Sequence, residues 1–431
     1  MEKEIITLSV AEGVRLCLFP ANRFKTSIVS LNIAMPLNSN VEERAVLAFL
    51  LRRCSAKYEN LTQLNRMLAN LYGASLSSSV IKKGEAQIIS LSITSVNDKF
   101  AIDNENISGE CLKLLLELLF EPKLEEGVFS QKDTELEKRL LLEKIDSEFS
   151  DKRSYALSRA EEEMCRNELY GISRFGKSER IKELTPTDIT CAWREMLEKG
   201  IIQINAVGCD ENFPCDEIKK RFSEIDRSSL CENKTEFVVS CGEEQYVEEK
   251  QAVKQGKLVM GLRAGMTDKD DNNYVIHVMT DMFGGGTYSK LFMNVREKMS
   301  LCYYCSARFV RSKGIIIIQS GIEEENEQKA IDAIKKQLED MKNGSFTKED
   351  LENSIRGISD TYLSVKDTPE GIDNWYSTQY ISSCGEKLVT PEEYVENIKT
   401  VTAQQVRAAA GNVTFDTIYM LKSNGEGGEE E

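Results

Sequence analysis

The chain has 431 residues, 41% hydrophobic and 29% charged, a composition that fits a folded globular protein long enough for two or more domains. Its 71 acidic against 55 basic residues give a net charge of −16, which repels phosphate backbones and argues against nucleic acid as a partner. One histidine, His277, stands in the whole sequence, so neither a multi-histidine zinc site nor a Ser-His-Asp triad is freely available.

The N-terminus, MEKEIITLSV, lacks the basic-then-apolar pattern of a signal peptide, and no unbroken apolar run reaches the ~18 to 20 residues that span a bilayer. A cytoplasmic protein without a membrane partner is expected. Twelve scattered cysteines then read as reduced, mostly buried thiols. Residues 5–37 hold three strand-like runs, EIITLSV, VRLCLFP and TSIVSLNIAMPL, which predict a hairpin and a buried strand. The stretch 44–58, RAVLAFLLRRCSAKY, continues a helix that opens on Glu42 and Glu43, with arginines expected in its last turn. A second helix over 61–72 ends at Gly73. Strands ASLSSSVIKK and AQIISLSITSV follow, joined by Lys83-Gly84-Glu85, then a helix around CLKLLLELLF that Pro122 stops. Residues 125–166 read as one or two helices, TPTDITCAWREML as another, and IIQINAVG as a closing strand.

The order then returns. Residues 234–254 predict a strand pair, KLVMGLRAG a buried strand, and NNYVIHVMTDMF a helix on which His277 has a structural place. Gly284, Gly285 and Gly286 lead into the helix of YSKLFMNVREKM. Strands LCYYCSARF and GIIIIQSGI, the helix EQKAIDAIKKQLEDM and the strand YMLKS complete the second round. An offset of roughly 220 to 230 residues between matching elements reads as an internal duplication. The expected organisation is α+β: lobes over 1–225 and 237–422, a linker over 226–236 and a disordered acidic tail over 423–431. Each lobe is a mostly antiparallel or mixed sheet flanked by helices. Cys302 and Cys305 form a C-x-x-C, but on a strand residues three apart face opposite ways, and two unconnected thiols are expected.

This arrangement resembles the pitrilysin/insulinase family of zinc peptidases over nearly the whole chain. The most specific stretch is FGGGTYSKLFMNVREKMSLCYYCSARF, which is similar to the family's Gly-rich and VREK region. In the first half, LNIAMPLNSNVEERAVLAFLLRR matches the family's strand and metal helix. That helix carries H-x-x-E-H in active members, two ligands and a general base. Matching Phe49 and Leu50 to the motif's middle puts Ala48 and Arg52 at the histidine positions and Leu51 at the catalytic glutamate. The stretch LLLEKI puts Lys144 at the third-ligand position, beside Glu143. Alanine and leucine carry no donor atoms for zinc, and the other two positions are cationic. Arg52 could simply pair with Glu143 or another acid. No cofactor is expected in this chain.

The resemblance also implies what survives. In two-lobed relatives an arginine and a tyrosine seven apart in the second half bind substrate or the developing oxyanion, and the matching positions are Arg296 and Tyr303. Plainer roles stand beside these: a surface ion pair for Arg296, sheet packing for Tyr303, and a flexible turn for Gly284, Gly285 and Gly286 instead of a substrate-brushing loop. A clamshell of two lobes is implied. A zinc-less first lobe with a retained Arg/Tyr pair is similar to the silent subunit of mitochondrial processing peptidase. The implied function is a non-catalytic subunit that binds peptide and completes the site of an H-x-x-E-H paralogue, in which zinc resides. A homodimer is also open, as is a scaffold role without hydrolysis, such as the elongation factor P modification linked with bacterial relatives.

Overall fold

The computed structural model describes residues 5–21, 23–209, 213–266, 273–377, 379 and 388–425. Contacts divide the chain into two compact units. The first comprises Met1–Ile145, Ser173–Lys234 and Val365–Leu388, the second Asp146–Ile172, Thr235–Ser364 and Val389–Glu431. The passage from one to the other near residue 234 falls within the segment read as a linker. Neither unit is one contiguous stretch, because each contains a helical segment from the other half of the sequence.

In the first unit, strands β1 (Ile6–Ala11), β2 (Val14–Phe19), β3 (Thr26–Pro36), β4 (Ser75–Lys83), β5 (Ala86–Val96) and β8 (Ile201–Val207) form one sheet in the order β1-β2-β8-β3-β5-β4. A two-stranded ribbon, β6 (Leu124–Glu125) and β7 (Val128–Phe129), lies apart from it. The β2–β8 pair is parallel and the other pairs antiparallel. Central β3 is buried nearly throughout and covered on both faces, its Ser27, Ser30 and Asn32 included, whereas edge strand β4 alternates exposed and covered residues. Helices α1 (Val41–Leu50) and α3 (Ile107–Phe120) bury their apolar faces in the core on one side. Around it stand α2 (Leu61–Asn70), α4 (Gln131–Ser150), α6 (Ser178–Glu183), α7 (Pro186–Lys199) and α8 (Cys215–Phe222). Gly73, at φ 75°, turns the chain after α2, a conformation in which a Cβ would be strained. Thr185 and Asp188 cap α7 reciprocally, as TPTD predicts.

The opposite face of this sheet is covered by α12 (Pro369–Ser377), which packs on β3 and β8. Tyr376 stacks on Phe19 with ring centres 4.5 Å apart. Beside them lies a buried polar patch: the Asp373 carboxylate accepts from Ser30 Oγ (2.6 Å) and Asn205 Nδ2 (2.9 Å). The expected linker is firmly held. Arg227 donates to the carbonyls of Glu12 (2.8 Å), Leu197 and Gly200, so 226–234 is anchored to the first unit.

The second unit contains α5 (Lys152–Met164), β9 (Gln245–Gln251), β10 (Gly256–Arg263), α9 (Asn273–Gly284) and β11 (Tyr304–Val310). After these come β12 (Ile315–Ile322), α10 (Glu327–Lys342), α11 (Lys348–Leu363), α13 (Pro391–Lys399), α14 (Ala403–Asn412) and β13 (Thr414–Ser423). Its five-stranded order, read β9-β13-β10-β12-β11, repeats β2-β8-β3-β5-β4 of the first, with β9 and β13 as the parallel pair and no strand equivalent to β1 among the described residues. Five strands of each sheet therefore share one topology, which is the structural form of the duplication. Two expectations need correction. Only β9 forms within 234–254, and 234–244 has no strand. Helices α6, α8, α11, α12, α13 and α14 had no counterpart in the sequence reading. Of the acidic tail, residues 426–431 lie outside the described residues.

Helix α5 covers β10 and β13 and forms an apolar cluster with Val259, Ile315, Ile317 and Tyr419. Its segment is tied down by a buried ion group. Glu168 accepts from Arg263 Nη2 (2.7 Å) and Lys313 Nζ (2.7 Å), and Arg263 Nε reaches Asp416 at 2.7 Å. Lys313 also donates to the Glu236 carbonyl at 2.6 Å. Burial alone would raise the Glu168 carboxyl, but the two cations outweigh it and hold the carboxyl below its ordinary value.

Candidate functional site

Helix α1 is shorter than its sequence suggests. It ends at Leu50, and Leu51, Arg52 and Arg53 form a turn beyond it, so the arginines are not in its last helical turn. Tertiary partners explain the early end. Arg53 is drawn to Asp133 (3.3 Å) and Glu137 (2.8 Å) on α4, and Ser55 bridges to Pro122.

The four degenerate metal positions separate into two kinds. Ala48 and Leu51 are fully buried in the first unit's core. Arg52 and Lys144 are exposed and meet at one ring, each with its cationic centre 5.6 Å from the centre of Phe49. The structure thus brings the end of α1 and α4 together around an aromatic ring flanked by two cations. Glu143 does not pair with Arg52; it faces Arg139 at 3.6 Å on the exposed side of α4. Two of the four side chains have no donor atom and two are positively charged, so this set does not fit zinc. Among the described residues no group of three or more His, Cys, Asp or Glu could hold a metal.

The second unit carries the remaining candidates. Gly284 ends α9 against β11: a Cβ there would meet Ala307 N and Cβ at 2.6 Å, so this glycine permits a close helix–strand approach. Gly285 and Gly286 follow at the helix end, where Gly285 N–H donates to the Asp281 carbonyl at 2.8 Å. The VREK segment is a π-helix, Leu291–Lys298, a helix type frequent at functional sites. Arg296 is 40% exposed, lies over Phe292 at 4.6 Å and is 3.6 Å from Glu297. Tyr303 is 60% exposed, and its hydroxyl donates to Glu323 at 2.6 Å. That carboxylate pushes the hydroxyl's pKa up, so it stays a donor. Tyr303 therefore does not pack in the sheet; it points outward just ahead of β11.

Two features went unread in the sequence. Phe49 occupies the middle of the motif and nothing in its spacing marks it as a seat for two cations. Cys302 lies before β11, outside the pleat, so the alternation rule does not apply to it. His277 lies on α9 with Nδ1 2.8 Å from the Tyr394 hydroxyl; burial and Arg311 push its pKa down to about 4. It is a neutral packing residue.

Fold and comparisons together define a mixed α/β protein with a repeated sheet topology, of the kind seen in the M16 peptidases. The pattern of the peptidase M16 inactive domain matches residues 183–358. The chain is 31% identical over 95% of its length to the probable inactive metalloprotease YmfF of Bacillus subtilis strain 168, covering 96% of that protein. It is 24% identical over 74% of its length to the antilisterial bacteriocin subtilosin biosynthesis protein AlbE of the same strain, covering 78% of it. The chain belongs to the M16 peptidase family and is an inactive homologue within it. A conserved protein from Enterococcus faecalis V583 has the same fold, with a TM-score of 0.87 at 24% identity over 99% of this chain and 100% of that one. The peptidase M16 inactive domain from Pseudomonas fluorescens follows with a TM-score of 0.78 at 15% identity over 98% and 99%. Among the described residues no helix is long and apolar enough to cross a membrane.

Proposed function

We propose that this chain is the non-catalytic member of a two-chain zinc peptidase. It binds peptide and completes the active site of an H-x-x-E-H paralogue with Arg296 and Tyr303. One observation supports the reading: Ala48, Leu51, Arg52 and Lys144, the positions matched to the metal site, offer no metal ligand, while Arg296 lies half-exposed within the π-helix and Tyr303 exposed just ahead of edge strand β11. Chemically, a guanidinium and a phenolic hydroxyl suit a developing oxyanion, each donor being worth a few kcal/mol. Peptide adds as an extra strand at a sheet edge, for which β4 beside α1 is the open surface. Gly284, Gly285 and Gly286 position the π-helix in this scheme.

The second reading is a scaffold that handles peptide without hydrolysis, within the cytoplasm and with or without self-association. It draws on the relative named for bacteriocin biosynthesis and on the engagement of Tyr303 with Glu323. Affinity capture of the chain from native cells, with mass spectrometry and metal analysis, distinguishes the two. Recovery of an H-x-x-E-H chain with about one zinc per pair supports the subunit reading. Capture without such a chain, or with no metal, overturns it and leaves the scaffold.

A further inference from the structure

We infer that the free edge of β9 is a docking site for an extended basic peptide segment, which pairs with β9 as an added strand and lays lysine or arginine side chains into the cleft beside α5. The inference does not depend on the subunit reading and lies wholly within the second unit. Strand β9 closes its sheet on one side. Because β9 runs parallel to β13, its residues turn their main-chain groups alternately towards β13 and away from it. The Gln251 carbonyl accepts from Asn424 N–H at 3.0 Å, on the β13 side, which fixes the alternation. Tyr246, Glu248 and Lys250 therefore turn N–H and C=O outward, and among the described residues no main-chain group bonds them there. The first sheet shows what this place accepts. Its strand β2 corresponds to β9, and β1 pairs antiparallel on the outer side of β2, with Leu8 opposite Leu16.

The surroundings select the occupant. A cleft of about 690 Å³ opens between α5 and β9, lined by Phe149, Tyr155, Arg159, Glu162, Val247 and Glu249 among others. Phe149 is 43% exposed and meets Tyr155 edge to face at 5.4 Å, an apolar wall for the stems of long side chains. On this face three carboxylates share one guanidinium: Arg159 lies 2.5 Å from Glu162, 3.0 Å from Glu163 and 3.5 Å from Glu249. The Tyr155 and Tyr419 hydroxyls donate to Glu249 and add no charge. Lys152 donates to Gln251 Oε1 at 2.7 Å, and counting it still leaves carboxylate in excess. On the opposite face Glu248 and Glu327 are matched by Lys250 and Lys422. Side chains of an added strand alternate between the two faces, so every second one, facing the cleft, is basic. A second copy of β9 would bring the same carboxylates with it, so charge favours a basic partner strand over self-pairing.

The test uses the full chain and a dye-labelled peptide as long as β9, 7 residues, that alternates lysine with valine. Its control carries glutamate at each lysine position. Fluorescence anisotropy reads binding, and hydrogen exchange with mass spectrometry reads the seat. We expect the lysine peptide to bind at least ~10-fold more tightly than the glutamate peptide, and to weaken as salt rises. On binding, the amides of Tyr246, Glu248 and Lys250 should exchange several-fold more slowly. Glu162→Lys, at a half-buried position beside Arg159, should weaken the lysine peptide about ten-fold. No binding, equal affinity for the two peptides, or slowed exchange at β4 or β11 with 246–250 unchanged overturns the inference. Protection of 246–250 that rises with protein concentration alone points to a second copy and also overturns it. The exchange readout comes from wild-type protein, so it needs no variant to fold.

Discussion

Replacing Glu168 with alanine tests whether the 146–172 segment is truly built into the second unit. The carboxylate takes two close contacts, from Arg263 and from fully buried Lys313, and its side chain is only 8% exposed. Its loss leaves Lys313 with the Glu236 carbonyl and Arg263 with Asp416 and the Met164 carbonyl. Breaking a buried ion group by removing one partner costs about 3 to 5 kcal/mol, a large part of the roughly 5 to 15 kcal/mol that holds a domain folded. Urea denaturation followed by tryptophan fluorescence and far-UV circular dichroism measures the loss. The double variant Glu168→Leu with Lys313→Met should cost less than the sum of its singles, because charge and countercharge leave together. A Glu168→Ala loss below about 1 kcal/mol would refute the reasoning, since it would mean water reaches these groups freely.

Further predictions come from other sites. His277, lowered to about 4 when folded, binds its proton in the unfolded chain first, so stability falls as pH drops from about 6.5 towards 4. That loss is at most about 3 kcal/mol, and His277→Gln should flatten the pH dependence of Tm in this window while leaving the steeper acid limb. Gly284→Val drives a side chain into Ala307 and Leu291 and should cost about 1 to 3 kcal/mol, read as a lower urea midpoint. Zinc in roughly ten-fold molar excess should leave Tm unchanged, because a ligand stabilises only by binding the folded state; a rise of several degrees would contradict the donor-set argument.

Much of this molecule is legible in residue order. Period-two alternation in ASLSSSVIKK, the β-branched and apolar bias of TSIVSLNIAMP and the TPTD cap each specify a local conformation that packing retains. The repeat of strand order follows from the same patterns. What sequence could not give was the choice of partner. An amphipathic helix such as α5 or α12 states which face it buries but not against which sheet, so the exchange of these segments between units was invisible. The early end of α1 depends on Asp133 and Glu137, some eighty residues away. At the candidate site, that Ala48 and Leu51 offer no donor atom was plain from residue type, whereas the meeting of Arg52 and Lys144 over Phe49 needed the placement of α4 against α1. The strand alternation invoked for the C-x-x-C does not reach Cys302, which stands just before β11.

The most direct measurement is peptide hydrolysis by the purified chain mixed with an H-x-x-E-H paralogue from the same cells. The account predicts no turnover by this chain alone and a rise on mixing. Arg296→Ala should lower kcat by roughly a hundred-fold, with the complex still intact by gel filtration. Tyr303→Phe should also lower kcat. Turnover by the isolated chain, or full activity of the complex carrying Arg296→Ala, would contradict it.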